Sequence, residues 1–142
     1  MKTALIAMSG GVDSSVAAYL MIEKGYTCEG VTMRLYHNEE LTCNFKTCCS
    51  DQDVADARRV AARLGMPFSV LDYKEDFDEK IISKFVRTYE HGGTPNPCID
   101  CNTLVKFREL RRRAAALGCA AVATGHYARI VQREDGCRLL RG

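Results

Sequence analysis

Three clusters of residues in this chain could do chemistry. The first is Ser9-Gly10-Gly11-Val12-Asp13-Ser14-Ser15, directly after a short apolar run. Two glycines let a backbone turn sharply and let an anion come close. Ser14 and Ser15 would offer hydroxyls beside the unpaired N–H groups of a helix start, where the helix dipole adds roughly half a positive charge. That is the chemistry of a phosphate cradle. It is not a P-loop, because no Lys follows, and it is not G-x-G-x-x-G. The second cluster is Thr94-Pro95-Asn96-Pro97-Cys98-Ile99-Asp100-Cys101-Asn102, followed by Lys106-Phe107. Prolines stiffen such a loop, and thiols near a helix N-terminus ionise more readily. Alone, this C-x-x-C reads equally well as half of a structural zinc or cluster site. The third cluster is Thr124-Gly125-His126-Tyr127-Ala128-Arg129.

The elements that must position these clusters follow from hydropathy and turn residues. Thr3–Met8 reads as a buried strand entering the Ser9-Gly10-Gly11 turn. A helix follows over Asp13–Lys24, with Val12, Val16, Leu20 and Ile22 on one broad apolar face and Gly25 as its stop. Thr27–Tyr36 reads as a second strand and His37–Cys49 as a loop. Ser50 with Asp53 forms a capping box in which Asp replaces Glu, opening a helix that Gly65 ends after Leu64. Pro67–Asp72 is a third strand and Phe77–Glu90 a helix. Gly92–Pro97 reads as a stiff loop presenting the cysteines ahead of a helix over Leu104–Leu117. Ala120–Thr124 is a fourth strand, and Tyr127–Val131 pairs with Arg138–Leu140 around Glu134-Asp135-Gly136. Strands alternating with helices predict an α/β fold, a doubly wound parallel sheet with helices on both faces. Such sheets bind ligands at the carboxyl ends of their strands, where Ser9–Ser15, Met33 to Tyr36 and Gly125-His126 fall.

Composition narrows the classes. The chain has 142 residues, 46% hydrophobic and 27% charged, which is a globular domain with one core. No apolar run approaches the ~18 residues of a membrane span. The N-terminus runs into glycines too soon for a secretory signal, so a cytoplasmic protein is expected. There, eight cysteines point to thiol chemistry, metal binding or burial rather than a disulfide scaffold. Net charge is +2, but residues 1–102 carry 11 basic and 15 acidic side chains, whereas residues 103–142 carry 9 and 3. The basic part, with Arg111-Arg112-Arg113, is a candidate polyanion surface. A solvated helix face is the alternative, since adjacent helical residues point in different directions.

The opening cluster resembles the S-G-G-x-D-S loop of the ATP pyrophosphatases. Those enzymes cleave ATP to AMP and pyrophosphate while activating a carbonyl oxygen as an adenylate. With Cys48-Cys49-Ser50, the Pro-Asn-Pro-Cys segment and Gly125-His126, essentially the whole chain resembles the tRNA-specific 2-thiouridylases. The resemblance implies the Rossmann-like fold of the adenine nucleotide alpha-hydrolases. It implies that Ala7, Met8, Ser9, Gly10, Gly11, Val12, Asp13 and Ser14 hold ATP, with Mg2+ near Asp13. Met33 and Gly125 would contact the adenine side. Asn96, Pro97 and Cys98 would lie against the target uridine, His126 would contact tRNA, and Cys101 would be the nucleophilic cysteine. The implied partners are tRNA and a persulfide-carrying donor protein.

Two departures from the family pattern bear on the chemistry. Many relatives carry Asp where this chain has Cys98, so Cys98 and Cys101 could be two ligands of an iron–sulfur cluster. The family's second cysteine, far downstream, carries the persulfide and pairs with the loop cysteine; Cys119 and Cys137 are poor substitutes for it. The 142 residues are therefore expected to be the ATP-binding catalytic domain, without the family's central and C-terminal domains. On this expectation the chain binds ATP but does not complete sulfur transfer alone. Two other readings stay open: a different ATP pyrophosphatase such as an amide-forming synthetase, or a non-enzymatic module binding a metal or cluster through Cys98 and Cys101.

Overall fold

The computed structural model describes residues 2–35 and 50–142. Tyr36, the expected loop His37–Cys49 and its Cys43, Cys48 and Cys49 lie outside the described residues. Strand β1 (Thr3–Ala7) leads into helix α1 (Val12–Glu23), then β2 (Thr27–Arg34), α2 (Asp51–Arg63) and β3 (Phe68–Asp72). A helical run follows as α3 (Lys74–Phe77), a π-helical segment π1 (Asp78–Ile82) and α4 (Ser83–Glu90). The second run is α5 (Pro97–Asp100), π2 (Cys101–Lys106) and α6 (Phe107–Ala116), before β4 (Ala121–Ala123). Strands β5 (Ala128–Arg133) and β6 (Gly136–Arg141) form an antiparallel hairpin.

The first four strands make a parallel sheet in the order β3-β2-β1-β4. In register, Ile6 of β1 lies between Gly30 of β2 and Ala123 of β4. The two-residue alternation of β1 sorts the core into two layers. Leu5 points to one face, with Val31, Leu35, Phe77, Ile81, Val105 and Leu110. Ala4 and Ile6 point to the other, with Met8, Ala18, Ala57, Ala61 and Met66. Helices α1 and α2 thus cover one face, and the two π-containing runs cover the other. That is the doubly wound arrangement expected from the strand–helix alternation. Because α1 and α6 lie on opposite faces, the crevice at the strand ends opens between β1 and β4.

Two local expectations hold in detail. Ser50 caps α2: its Oγ accepts from the Asp53 N–H at 3.2 Å, and the Asp53 carboxylate accepts from the Ser50 N–H at 2.9 Å. The terminal hairpin forms with its turn at Glu134-Asp135. Two others need correction. Helical structure begins at Pro97 rather than Leu104, because Asn96 caps the turn through the Ile99 N–H and Pro97 is preset for the first helical position. The cysteines therefore sit within helical turns rather than in a loop before them. Of the apolar stripe expected on α1, only Ile22 packs against the core. Val12, Val16 and Leu20 are 77%, 48% and 50% exposed, while the small Ser14 and Ala18 face the sheet. Among the described residues no helix is long and apolar enough to cross a membrane.

Candidate active site

The Ser9–Ser15 segment bridges the end of β1 and the first turn of α1. Met8 is fixed from both sides: its N–H donates to Val31 O at 2.8 Å, and its carbonyl accepts from buried Thr32 Oγ1 at 2.6 Å. Ser14 closes the loop internally. Its Oγ accepts from the Ser9 N–H at 3.1 Å and donates to Gly11 O at 3.1 Å, with Ser9 Oγ 3.2 Å away. Gly10 has φ +79°, and a Cβ there would lie 2.4 Å from the Asp53 carbonyl oxygen. Only glycine fits that turn against the start of α2. The intrahelical bonds of α1 begin with Ser15 N–H to Gly11 O. The N–H groups of Val12, Asp13 and Ser14 before it are the orphan donors of a helix start, and with the dipole they make an anion site.

The end of β4 presses onto this loop. A Cβ on Gly125 would lie 2.7 Å from Ser14 N, so the strand exit and the helix start are in direct backbone contact. Tyr127 spans the same gap, its hydroxyl donating to Asp13 Oδ1 at 2.8 Å. That bond to a carboxylate pushes the Tyr127 phenol above its ordinary value. A cavity of about 380 Å³ lies here, lined by Asp13, Val16, Ala17, Leu20, Thr124, Gly125, His126 and Tyr127.

The thiols stand across from it. Cys98 is exposed and Cys101 is 6% exposed. Both line a cavity of about 180 Å³ with Leu35, Phe77, Pro97, Asn102, Lys106 and His126. His126 borders both cavities. Its Nδ1 lies 3.0 Å from Thr124 Oγ1, and its ring packs against Phe107 at 5.1 Å. Lys84 pairs with Asp100 at 2.7 Å, tying the thiol-bearing turn to α4.

The sequence-predicted residues thus gather at one end of the sheet. Ser9, Gly10, Gly11, Asp13 and Ser14 form the loop, Gly125 and His126 border it, and Pro97, Cys98 and Cys101 line the second cavity. Asn96 serves as a helix cap. Val12 is exposed at the start of α1, and Ala7 packs against the core. The Met33 side chain is buried within the core. Sequence reasoning missed the Tyr127–Asp13 bond and the Phe107–His126 stack. Both join segments distant in sequence, and no local pattern marks them.

Asp13 is exposed, and one of its oxygens accepts from Tyr127. A hard carboxylate oxygen beside an anion site fits a Mg2+ ion. Among the described residues, no group of three or more His, Cys, Asp or Glu side chains could hold a metal ion.

Sheet order, crevice and glycine loop define an adenine nucleotide alpha-hydrolase-like α/β domain. A glutamine-dependent NAD+ synthetase from Acinetobacter baumannii, solved with ADP, superposes with a TM-score of 0.58 at 20% identity, covering 88% of this chain and 22% of that one. A predicted subunit of tRNA methyltransferase from Methanocaldococcus jannaschii superposes at 0.53 with 18% identity, over 89% and 54%. At those identities the likeness concerns the fold. The chain belongs to the tRNA methyl transferase HUP domain family, whose model matches residues 2–142. It is 53% identical over 136 residues to the tRNA-specific 2-thiouridylase MnmA of Chloroflexus aurantiacus, covering 96% of this chain and 38% of the relative. It is 52% identical over 141 residues to MnmA of Clostridium beijerinckii, covering 99% and 39%. The chain therefore spans about two fifths of the length of these relatives.

Proposed function

We propose that this chain is the ATP-binding, thiol-bearing domain of an enzyme that replaces oxygen by sulfur at C2 of the wobble uridine of tRNA. The observation that carries this reading is the place of His126. It borders both the cavity beside Asp13 and Gly125 and the cavity holding Cys101. A carbonyl activated over the glycine loop would therefore lie next to a thiol. The similarity to tRNA-specific 2-thiouridylases supports the same reading.

The chemistry explains why both halves are needed. The uracil C2 carbonyl is a poor electrophile, and its oxygen is a poor leaving group. The C2 oxygen attacks the α-phosphorus of ATP, the bond to pyrophosphate breaks, and the uridine becomes O-adenylated. The terminal sulfur of a persulfide, passed from the donor protein to a second cysteine of the complete enzyme, then attacks C2, and AMP leaves with the original oxygen. The Cys101 thiolate attacks the inner sulfur of that persulfide. The S–S bond breaks, sulfur stays on C2, and a disulfide between Cys101 and that second cysteine remains for an external thiol to reduce.

In this scheme the N–H groups of the first turn of α1, those of Val12, Asp13 and Ser14, hold the phosphates. Asp13 would hold Mg2+, which supplies charge neutralisation for the leaving pyrophosphate. Pro97, Cys98 and the Asn96 turn meet the base, which must leave the anticodon stack to reach them. Lys106 stands in the wall of the same cavity, a cation beside the thiols.

Isotope exchange between pyrophosphate and ATP tests the reading. Exchange should depend on uridine-bearing tRNA and should survive Cys101→Ser, while 2-thiouridine formation by the complete enzyme should not. Sulfur transfer that is indifferent to Cys101→Ser would refute it. Exchange driven by a carboxylic acid instead of RNA would favour an amide-forming synthetase.

A further inference from the structure

The arginines of α6 have no part in the site described so far. Arg108, Arg111 and Arg112 stand at helical spacings of three and four, so they share one face. Together with Thr103 and Phe107 they line an open groove of about 480 Å³. No carboxylate lines it. Arg112 is pinned by the buried Glu109 at 2.6 Å, and its side chain remains 73% exposed. Among the described residues Arg108 and Arg111 are exposed and form no ion pair. Phe107 joins this groove to the active site, since its ring also packs on His126, which borders the Cys101 cavity. Along the helical run the arginines follow Cys101 by roughly 10–16 Å.

We propose that this groove binds the phosphate backbone of the RNA strand leading away from the nucleotide held in the Cys101 cavity, with Phe107 as a stacking surface at its mouth. The inference rests on the sulfur-transfer reading for the identity of the RNA. Its physical basis is separate. Unpaired guanidiniums on one face suit phosphate oxygens, and an aromatic ring beside a basic track is how single-stranded RNA is held. The 9-to-3 excess of basic over acidic residues after position 102 has its densest stretch here.

The test measures binding of an anticodon stem–loop RNA to this chain across a range of salt concentrations. R108Q/R111Q is the informative variant, because it spares the Arg112–Glu109 pair. Each lost phosphate contact in single-stranded RNA lowers the log–log salt slope by about 0.7. Two lost contacts would leave the variant about sevenfold less sensitive than wild type to a rise from ~50 to ~200 mM salt. The α2 variant R59Q/R63Q, on the opposite face of the sheet, should bind as wild type does. Equal affinity and slope in R108Q/R111Q would overturn the groove. So would an equal loss in the α2 variant, which would mean that charge alone and not position matters. A chain that binds RNA through the groove but supports no RNA-dependent exchange would instead overturn the sulfur-transfer reading and leave the groove standing.

Discussion

Gly125→Ala probes whether the strand exit and the nucleotide loop act as one unit. The added methyl would lie 2.7 Å from Ser14 N, 3.0 Å from the Asp13 carbonyl carbon and 3.1 Å from Ser14 Cα. All three are backbone atoms of the first turn of α1, so no side-chain rotation relieves the contact. Ordinary contact begins near 3.4 Å, so β4 and α1 must part by about 0.7 Å. Overpacking of this kind costs about 1–3 kcal/mol. In a domain of this size that lowers Tm by roughly 3–9 °C. The methyl also covers the Ser14 N–H, one of the donors offered to an anion. A hydrogen bond to a charged group contributes about 1.5–3 kcal/mol, so affinity for MgATP should fall about 10- to 150-fold. Titration calorimetry reads the affinity and scanning calorimetry the Tm. Gly11→Ala separates the two effects: a Cβ there meets only Ser9 Oγ, at 3.4 Å. That variant should keep its Tm and lose affinity. A Gly125→Ala protein with wild-type Tm and wild-type affinity would refute the contact on which the crevice is built.

The other predictions concern the supports of the site. Ser50→Ala removes one half of the capping box and should cost about 1 kcal/mol, a drop of roughly 3 °C in Tm by scanning calorimetry. An unchanged Tm would mean that α2 does not depend on its cap. Tyr127 donates to Asp13, so its neutral form is favoured by folding and its pKa is raised. The bond is fully present below the ordinary tyrosine pKa and is lost as pH rises through the higher folded value. Ultraviolet titration should show a late-titrating tyrosine that is absent in Tyr127→Phe. Identical curves for the two proteins would disprove the link.

Much of the fold was legible because its signals are local. The apolar run before Ser9-Gly10-Gly11, the Ser50–Asp53 capping box and the Glu134-Asp135-Gly136 turn each specify an element within a few residues. The convergence of the glycine loop with Gly125 and His126 followed from strand ends in a parallel sheet. The early helix at Pro97 could have been read from Asn96-Pro97, a capping residue followed by the residue best suited to the first helical position. The glycines and prolines around that pair obscured it. The exposed stripe of α1 shows a different limit. Periodicity says which residues share a face, not which face is covered. Here the small Ser14 and Ala18 face the sheet, where Gly125 comes close to the helix start. The Tyr127–Asp13 and Phe107–His126 contacts depend on the tertiary approach of distant segments, so nothing in either segment alone announces them.

The π-helical segment between Cys101 and Lys106 has a consequence for how this region can vary. A regular α-helix turns about 100° per residue, so an extra residue would swing everything after it to a new bearing. A widened turn takes up the surplus instead and returns the chain to its former phase. Leu110 and Ala114 thus keep their seats in the core, and the arginines keep their outlook, while Cys101 stands on a local swelling of the helix. The segment works like an expansion joint. The wall of the thiol cavity can change length by a residue without unseating the core or turning the basic face away.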